Sequence, residues 1–347
     1  MCDLHGNTVN DPNKFALVPR PSNAVGKAAL GAKRILSGMI ADTLALVSER
    51  GNAEVEGWVE KGTNCFTPGN YAEGLKWYRK AAERNHAKAQ CFVGICCMHG
   101  WGIAEDEVEG VKWLHKSAEL GWAEAQRLLG DFYRGKQDDI SAIKWYRKAA
   151  EQGDFSCQSE LGDCFHDGRG VPKDYVEAVK WYRKAADQNL STAQCTLGCC
   201  YRDGQGVAQD YHEAAKWYRL SAENGWAMAQ YYLGLCYADG KGVAQNYKEA
   251  ACWYRKAADQ GFSDAQEILG AYYANGQATI DIEDAVDAYK YVRIAEDKGY
   301  DGATKTMAVL SALLSPDELR EAESRYQEIC ARKNRLFERV SKIMNGE

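Results

Sequence analysis

The chain has 347 residues, 46% of them apolar and 27% charged, with a formal net charge of −6. That composition suits a soluble globular protein with a large core, and it supplies no overall positive field to draw in a phosphate backbone, so nucleic acid is not an expected partner. Six prolines against 33 glycines point to helices punctuated by turns.

In chain order, residues 1–22, with Pro12, Pro19 and Pro21, read as an extended tail. They lack the basic and apolar regions of a secretory signal, and a cytoplasmic location is expected. Residues 23–52 read as an amphipathic N-terminal capping helix, with Val25, Ala28, Ala32, Ile35, Met39 and Leu46 weighted to one side. Lys27, Lys33, Arg34 and Asp42 interrupt its apolar stretch, so it is not a membrane span, and membrane attachment is not expected.

Residues 53–314 repeat. Trp-Tyr-Arg-Lys-Ala-Ala stands at positions 77, 145, 181 and 253, with variants beginning at Trp113 and Trp217, and Tyr291 takes the tryptophan's place in a seventh copy. Each unit predicts two helices. In one unit the first helix carries Ala229, Leu233 and Cys236 on one face and ends in a turn, Asp239 to Val243, whose glycines tolerate positive φ. The second runs through Tyr247, Ala250, Trp253 and Ala257 to Gly261. Alanines at these steps allow close helix approach, and the Trp and Tyr rings are expected to fill the wedge between neighbouring hairpins. The first unit is shortened at Thr67-Pro68-Gly69-Asn70 and the third at Arg134 to Asp139. Turn length costs little free energy, so the stack is expected to continue through both.

Ser315-Pro316-Asp317-Glu318 is a helix start: Ser at the N-cap, Pro at the first helical position, and acids against the positive end of the dipole. Residues 315–347 therefore read as a C-terminal capping helix over the last hairpin's open face.

The repeated phrases, with the Ala-x-Ala-Gln and Leu-Gly-x-x-Tyr patterns of the first helices, resemble the Sel-one-like repeat (SLR) family, a relative of the tetratricopeptide repeat. The resemblance covers about Ala53 to Leu314. It implies an all-α fold, a right-handed superhelix of about seven antiparallel hairpins, and a bacterial member. It also implies a scaffold or adaptor that binds a protein or peptide rather than an enzyme. Whether such a chain is a monomer or associates weakly end to end stays open.

Signals for chemistry are thin. Ser141-Ala142-Ile143-Lys144 matches the Ser-x-x-Lys signature of penicillin-recognising enzymes, which keeps a hydrolase of cell-wall or lactam-type substrates as an alternative. The same register elsewhere reads Glu177 to Lys180 and Glu213 to Lys216, which favours a solvated helix face. A second alternative is a membrane-surface regulator held by the helix at 23–52. The Gly-x-Gly turns lack the preceding strand of a dinucleotide site and read as turns. Cys96, Cys164, Cys200 and Cys236 share a column with Phe132 and Tyr272, which reads as core, so reduced thiols are expected rather than disulfides or a metal site. No cofactor is expected.

If the first helices line the concave side, as in related solenoids, positions three before, one after and four after each helix glycine form one stripe. It reads Cys91, Ile95, Met98 at one end. Its charged centre holds Arg127, Asp131, Arg134, Asp163, His166 and Arg202, and Tyr231 lies in an apolar second half. Such a groove suits an extended peptide or helix, with the arginines gripping carboxylates and Tyr231 anchoring an apolar side chain. Equally, these positions vary where water permits it, and the sequence does not choose between the two readings.

Overall fold

A computed structural model describes residues 53–276, 285–300 and 302–345. The tail at 1–22 and the helix expected at 23–52 lie outside the described residues. The chain divides into two units, Met1–Glu56 and Gly57–Glu347, and the second holds the stack.

Sixteen helices and no strands occur among the described residues. They pair as α1 (Ala53–Cys65) with α2 (Tyr71–Glu83), α3 (Ala87–His99) with α4 (Glu107–Glu119), α5 (Ala123–Gly135) with α6 (Asp139–Glu151), and α7 (Phe155–Asp167) with α8 (Tyr175–Asp187). The series continues as α9 (Ser191–Asp203) with α10 (Tyr211–Glu223), α11 (Ala227–Asp239) with α12 (Tyr247–Asp259), and α13 (Ser263–Ala274) with α14 (Ala285–Asp297). Two further helices follow, α15 (Ala303–Leu313) and α16 (Pro316–Asn345). The architecture is an α-solenoid, and the short turn between α5 and α6 does not interrupt it: α5 packs on α6 and α6 on α7.

The Trp-Tyr phrase divides its labour in a way that the periodicity did not reveal. The tyrosines Tyr146, Tyr182, Tyr218 and Tyr254 are at most 1% exposed, each ring set against the glycine of the paired first helix. The tryptophans Trp145, Trp181 and Trp253 reach back instead and join the core of the preceding hairpin. The Tyr218 and Tyr254 rings in turn meet Tyr232 and Tyr272 of the following hairpin, at 5.1 and 5.3 Å, so both ring types fill the wedge. Each of these tryptophans also carries a lysine three residues on over its outer face, as with Lys184 at 3.8 Å from the Trp181 ring.

A buried polar ladder runs beside this apolar seam. Gln90, Gln126, Gln158, Gln194, Gln230 and Gln266 are at most 5% exposed, and each donates through Nε2 to the carbonyl of an alanine eight residues earlier, at the end of the preceding helix. In the middle units the amide oxygen also accepts from the glutamine that caps the second helix of its own hairpin: Gln152 on Gln126, Gln188 on Gln158 and Gln260 on Gln230, at 2.7–2.8 Å. A buried amide so satisfied fixes the register between hairpins, because a slipped one leaves both groups unpaired.

Second helices open on side-chain caps: Asp106, Asp138, Asp174, Asp210 and Asn246 each accept from backbone N–H groups two or three residues on. At the C-terminal end, Ser315 and Glu318 form a capping box, with Ser315 N–H donating to Glu318 at 2.8 Å. From there α16 packs on α14, burying Ala322 and Tyr326.

Candidate functional site

The stripe expected on the first helices separates into two parts. Cys91 and Ile95 are only 0% and 4% exposed, and Cys195, Ala238 and Ala271 are buried as well, so the expected apolar end is core rather than groove. A small or apolar side chain at these positions sinks between helices, whereas a long charged one climbs its own stem to water. Arg127, Asp131 and Arg134 on α5, Asp163 and His166 on α7, Arg202 on α9 and Tyr231 on α11 are all half-exposed.

The charged centre is already wired. Arg127 donates to Glu124 at 2.5 Å and to Asp131 at 3.0 Å, and Arg134 crosses from α5 to Glu160 on α7. Asp131 accepts a 2.8 Å hydrogen bond from the hydroxyl of Tyr146. Asp163 accepts one of the same length from Tyr182. His166 contacts Gln205 of the next turn at 3.2 Å and Asp167 at 2.8 Å. Arg202 holds Asp203 through two nitrogens, 2.7 and 2.8 Å, with its guanidinium over the Tyr232 ring at 4.9 Å. Tyr231 packs on Tyr232, Tyr254 and Phe262, and burial pushes its phenol up to about 12.

The arginines thus spend their donors on the protein's own carboxylates, and an incoming carboxylate has to share them. The surface presents a fixed alternation of both signs rather than a cationic grip. The sequence reading did not assign Glu124, Glu160, Tyr146 or Tyr182 to this network. The recurring tyrosine was visible, but its hydroxyl's reach to the stripe was not.

Burial raises the Asp163 carboxyl to about 6, against the Tyr182 hydrogen bond and Arg169, both of which favour the anion. A raised carboxyl holds its proton more tightly in the folded chain. Its stabilising effect is therefore full below the ordinary carboxylate range and is lost as pH rises through about 6. Asp163→Asn keeps an acceptor for Tyr182 and removes the charge. The variant is expected to be more stable than the parent by about 1–2 kcal/mol at pH 7.5, after allowance for partial exposure, and the gap should close by about pH 4. Denaturant melts at both pH values check this, and a variant less stable at pH 7.5 contradicts it.

Ser141 and Lys144, the two ends of the serine–lysine signature, are each engaged elsewhere. The Ser141 side chain and N–H both hydrogen-bond the Asp138 cap, while Lys144 lies over Trp145. Among the described residues no three His, Cys, Asp or Glu side chains are placed to hold a metal ion. No described helix is long and apolar enough to cross a membrane.

Comparison with known proteins gives a consistent picture. The Sel1 repeat family model matches seven segments, residues 57–86, 87–122, 123–154, 156–190, 191–226, 227–262 and 263–300. No curated protein matches the chain. Among solved structures, a Sel1 repeat protein from Oxalobacter formigenes is similar, with 29% identity and a TM-score of 0.59 over 70% of this chain and 97% of its own. A second is c5321, described as a protective antigen of uropathogenic Escherichia coli with an SLR fold. It shows 29% identity and a TM-score of 0.58 over 86% of this chain and 72% of its own.

Proposed function

We propose, on the premise that this chain belongs to the Sel1 repeat family, that it is a scaffold or adaptor whose first-helix stripe holds a protein or peptide. Proteins of the family generally mediate protein–protein interactions and are typically non-catalytic. What supports this particular surface is its preorganisation. Arg127, Asp131, Arg134 and Asp163 are half-exposed, yet are held in place by Glu124, Glu160, Tyr146 and Tyr182. Side chains left to vary in water would not be tied to buried hydroxyls on a second helix. Fixed charges lose little conformational entropy on binding, which favours a partner that offers a matching alternation of charge. Action in the cytoplasm as a monomer, or as a chain weakly associated through its ends, is part of the same proposal.

The hydrolase alternative has only Ser141 to stand on, and that side chain is engaged in a helix cap. The membrane alternative rests on residues 23–52, outside the described residues.

A triple variant, Arg127→Ala, Arg134→Ala and Arg202→Ala, tests the reading. Pull-downs with parent and variant, each with an unchanged circular dichroism spectrum, are expected to differ: the variant loses at least tenfold of a partner that the parent captures. Equal capture of the same proteins by both removes the charged centre as the binding surface.

A further inference from the structure

The ladder of buried glutamines misses a rung in the seventh hairpin. In the third to sixth hairpins the amide oxygen of the first-helix glutamine accepts from the amide that caps the second helix, Gln152, Gln188, Asn224 or Gln260. In the seventh, Lys298 follows α14 at that place and turns to Glu267, with 3.6 Å between the charged atoms. Gln266 is only 4% exposed, and its Nε2 holds the carbonyl of Ala258 as in the other rungs, but its Oε1 is buried with no hydrogen-bond partner. Gln90 Oε1 lacks a partner too, where Leu120 stands at the cap, yet of the two it is Gln266 that lines a cavity.

That cavity, about 340 Å³, opens where Tyr291 stands in the tryptophan's place. A phenol is smaller than an indole, and this one is drawn aside to Asp259, to which its hydroxyl donates at 2.6 Å. Room is left between α12 and α14 that Trp145, Trp181 and Trp253 fill in their own hairpins. Across it, α16 contributes Arg325, Glu328, Ile329 and Arg332. The Lys290 side chain is 14% exposed, and its ammonium shares the one carboxylate of Asp287 with the Arg325 guanidinium.

We propose that this cavity binds a free amino acid as its zwitterion. The unmatched Gln266 oxygen is an acceptor, so the occupant has to bring an N–H donor, which a simple anion such as phosphate does not. Two cations on one carboxylate, with Arg332 beyond them on α16, call for a carboxylate in the same occupant. Asp259 and Glu328, both exposed, favour a charged ammonium over a neutral amide. Ile329 and the Tyr291 ring supply an apolar wall for a side chain, and a cavity at the small end of ligand sites suits a molecule of this size. The cavity shares no residue with the charged centre of the stripe, so neither reading depends on the other.

Titration calorimetry of the full-length chain with each of the common L-amino acids tests the proposal. At least one is expected to bind with a Kd of about 1 mM or tighter. Its N-acetyl and carboxamide derivatives each lack one of the two charges and are expected to bind weaker by about tenfold or more. Arg332→Ala, at an exposed position on α16, should weaken binding by about tenfold. Tyr291→Trp restores the side chain of the other hairpins and should abolish binding, with the circular dichroism spectrum of both variants unchanged. No binding of any of the amino acids to the parent, derivatives that bind as tightly as the amino acid itself, or unchanged binding in the two variants overturns the proposal.

Discussion

Gly162→Ala is expected to destabilise the solenoid by about 3 kcal/mol, although alanine is the better helix former. A Cβ on Gly162 would stand 2.5 Å from Cδ1 and Cε1 of Tyr182. That ring is 1% exposed and its hydroxyl is bonded to Asp163, so it has nowhere to move without breaking a buried hydrogen bond. Gly135 supplies the control. It ends α5 in a region with nothing within 4 Å of its would-be Cβ, and Gly135→Ala is expected to stabilise by up to about 1 kcal/mol. Urea melts of the two variants should therefore shift in opposite directions. Equal shifts would show that helix propensity, not the tyrosine seat, governs these positions.

The second large effect is at Gly242, in the turn between α11 and α12. Its φ is +74°, and a Cβ there would penetrate the carbonyl oxygen of Tyr211, the first residue of α10 in the preceding hairpin. Its own carbonyl meets His212 Nδ1 at 2.9 Å. Alanine would thus incur the left-handed cost of about 1–2 kcal/mol and also have to push two hairpins apart. Gly240, φ +68°, has a nearest neighbour at 3.2 Å in the Cβ of Gln245, so Gly240→Ala incurs little more than the conformational cost. The expected losses are about 1 kcal/mol for Gly240→Ala and about 3 kcal/mol for Gly242→Ala. Hydrogen exchange should show Gly242→Ala opening the seam between the fifth and sixth hairpins, since each repeat of a solenoid contacts only its neighbours. Indistinguishable exchange in the two variants would contradict the seam contact.

The helices were legible because each repeat prints its own boundaries: an acidic or Asn cap before the second helix, glycine after the first, and alanines at helical steps. The turns at 67–70 and 134–139 were legible as harmless shortenings for the same reason. Less visible was the function of residues whose partner lies in another helix. Gln158 appears in sequence only as the end of an Ala-x-Ala-Gln phrase, and its bond to Gln188 spans thirty residues. The stripe positions all lie on first helices, yet Cys91 and Ile95 sank into the core while Arg127 did not. Helical periodicity gives a residue's direction, but depth depends on how far its side chain extends and on what the adjoining hairpin places opposite. The pairing of Arg134 with Glu160 likewise depends on how one first helix is set against the next, which a single repeat does not encode.

Site-specific photo-crosslinking tests the account's central claim most directly. A photoreactive phenylalanine analogue is placed singly at Ser159 and His166 on the stripe, and at Ile140 and Val176, which are 74% and 55% exposed on second helices. Irradiation in the native cell extract is expected to give the same protein adduct from Ser159 and His166 and none from Ile140 or Val176. Adducts from Ile140 and Val176 with the stripe positions silent would contradict the account and move the binding face to the second helices.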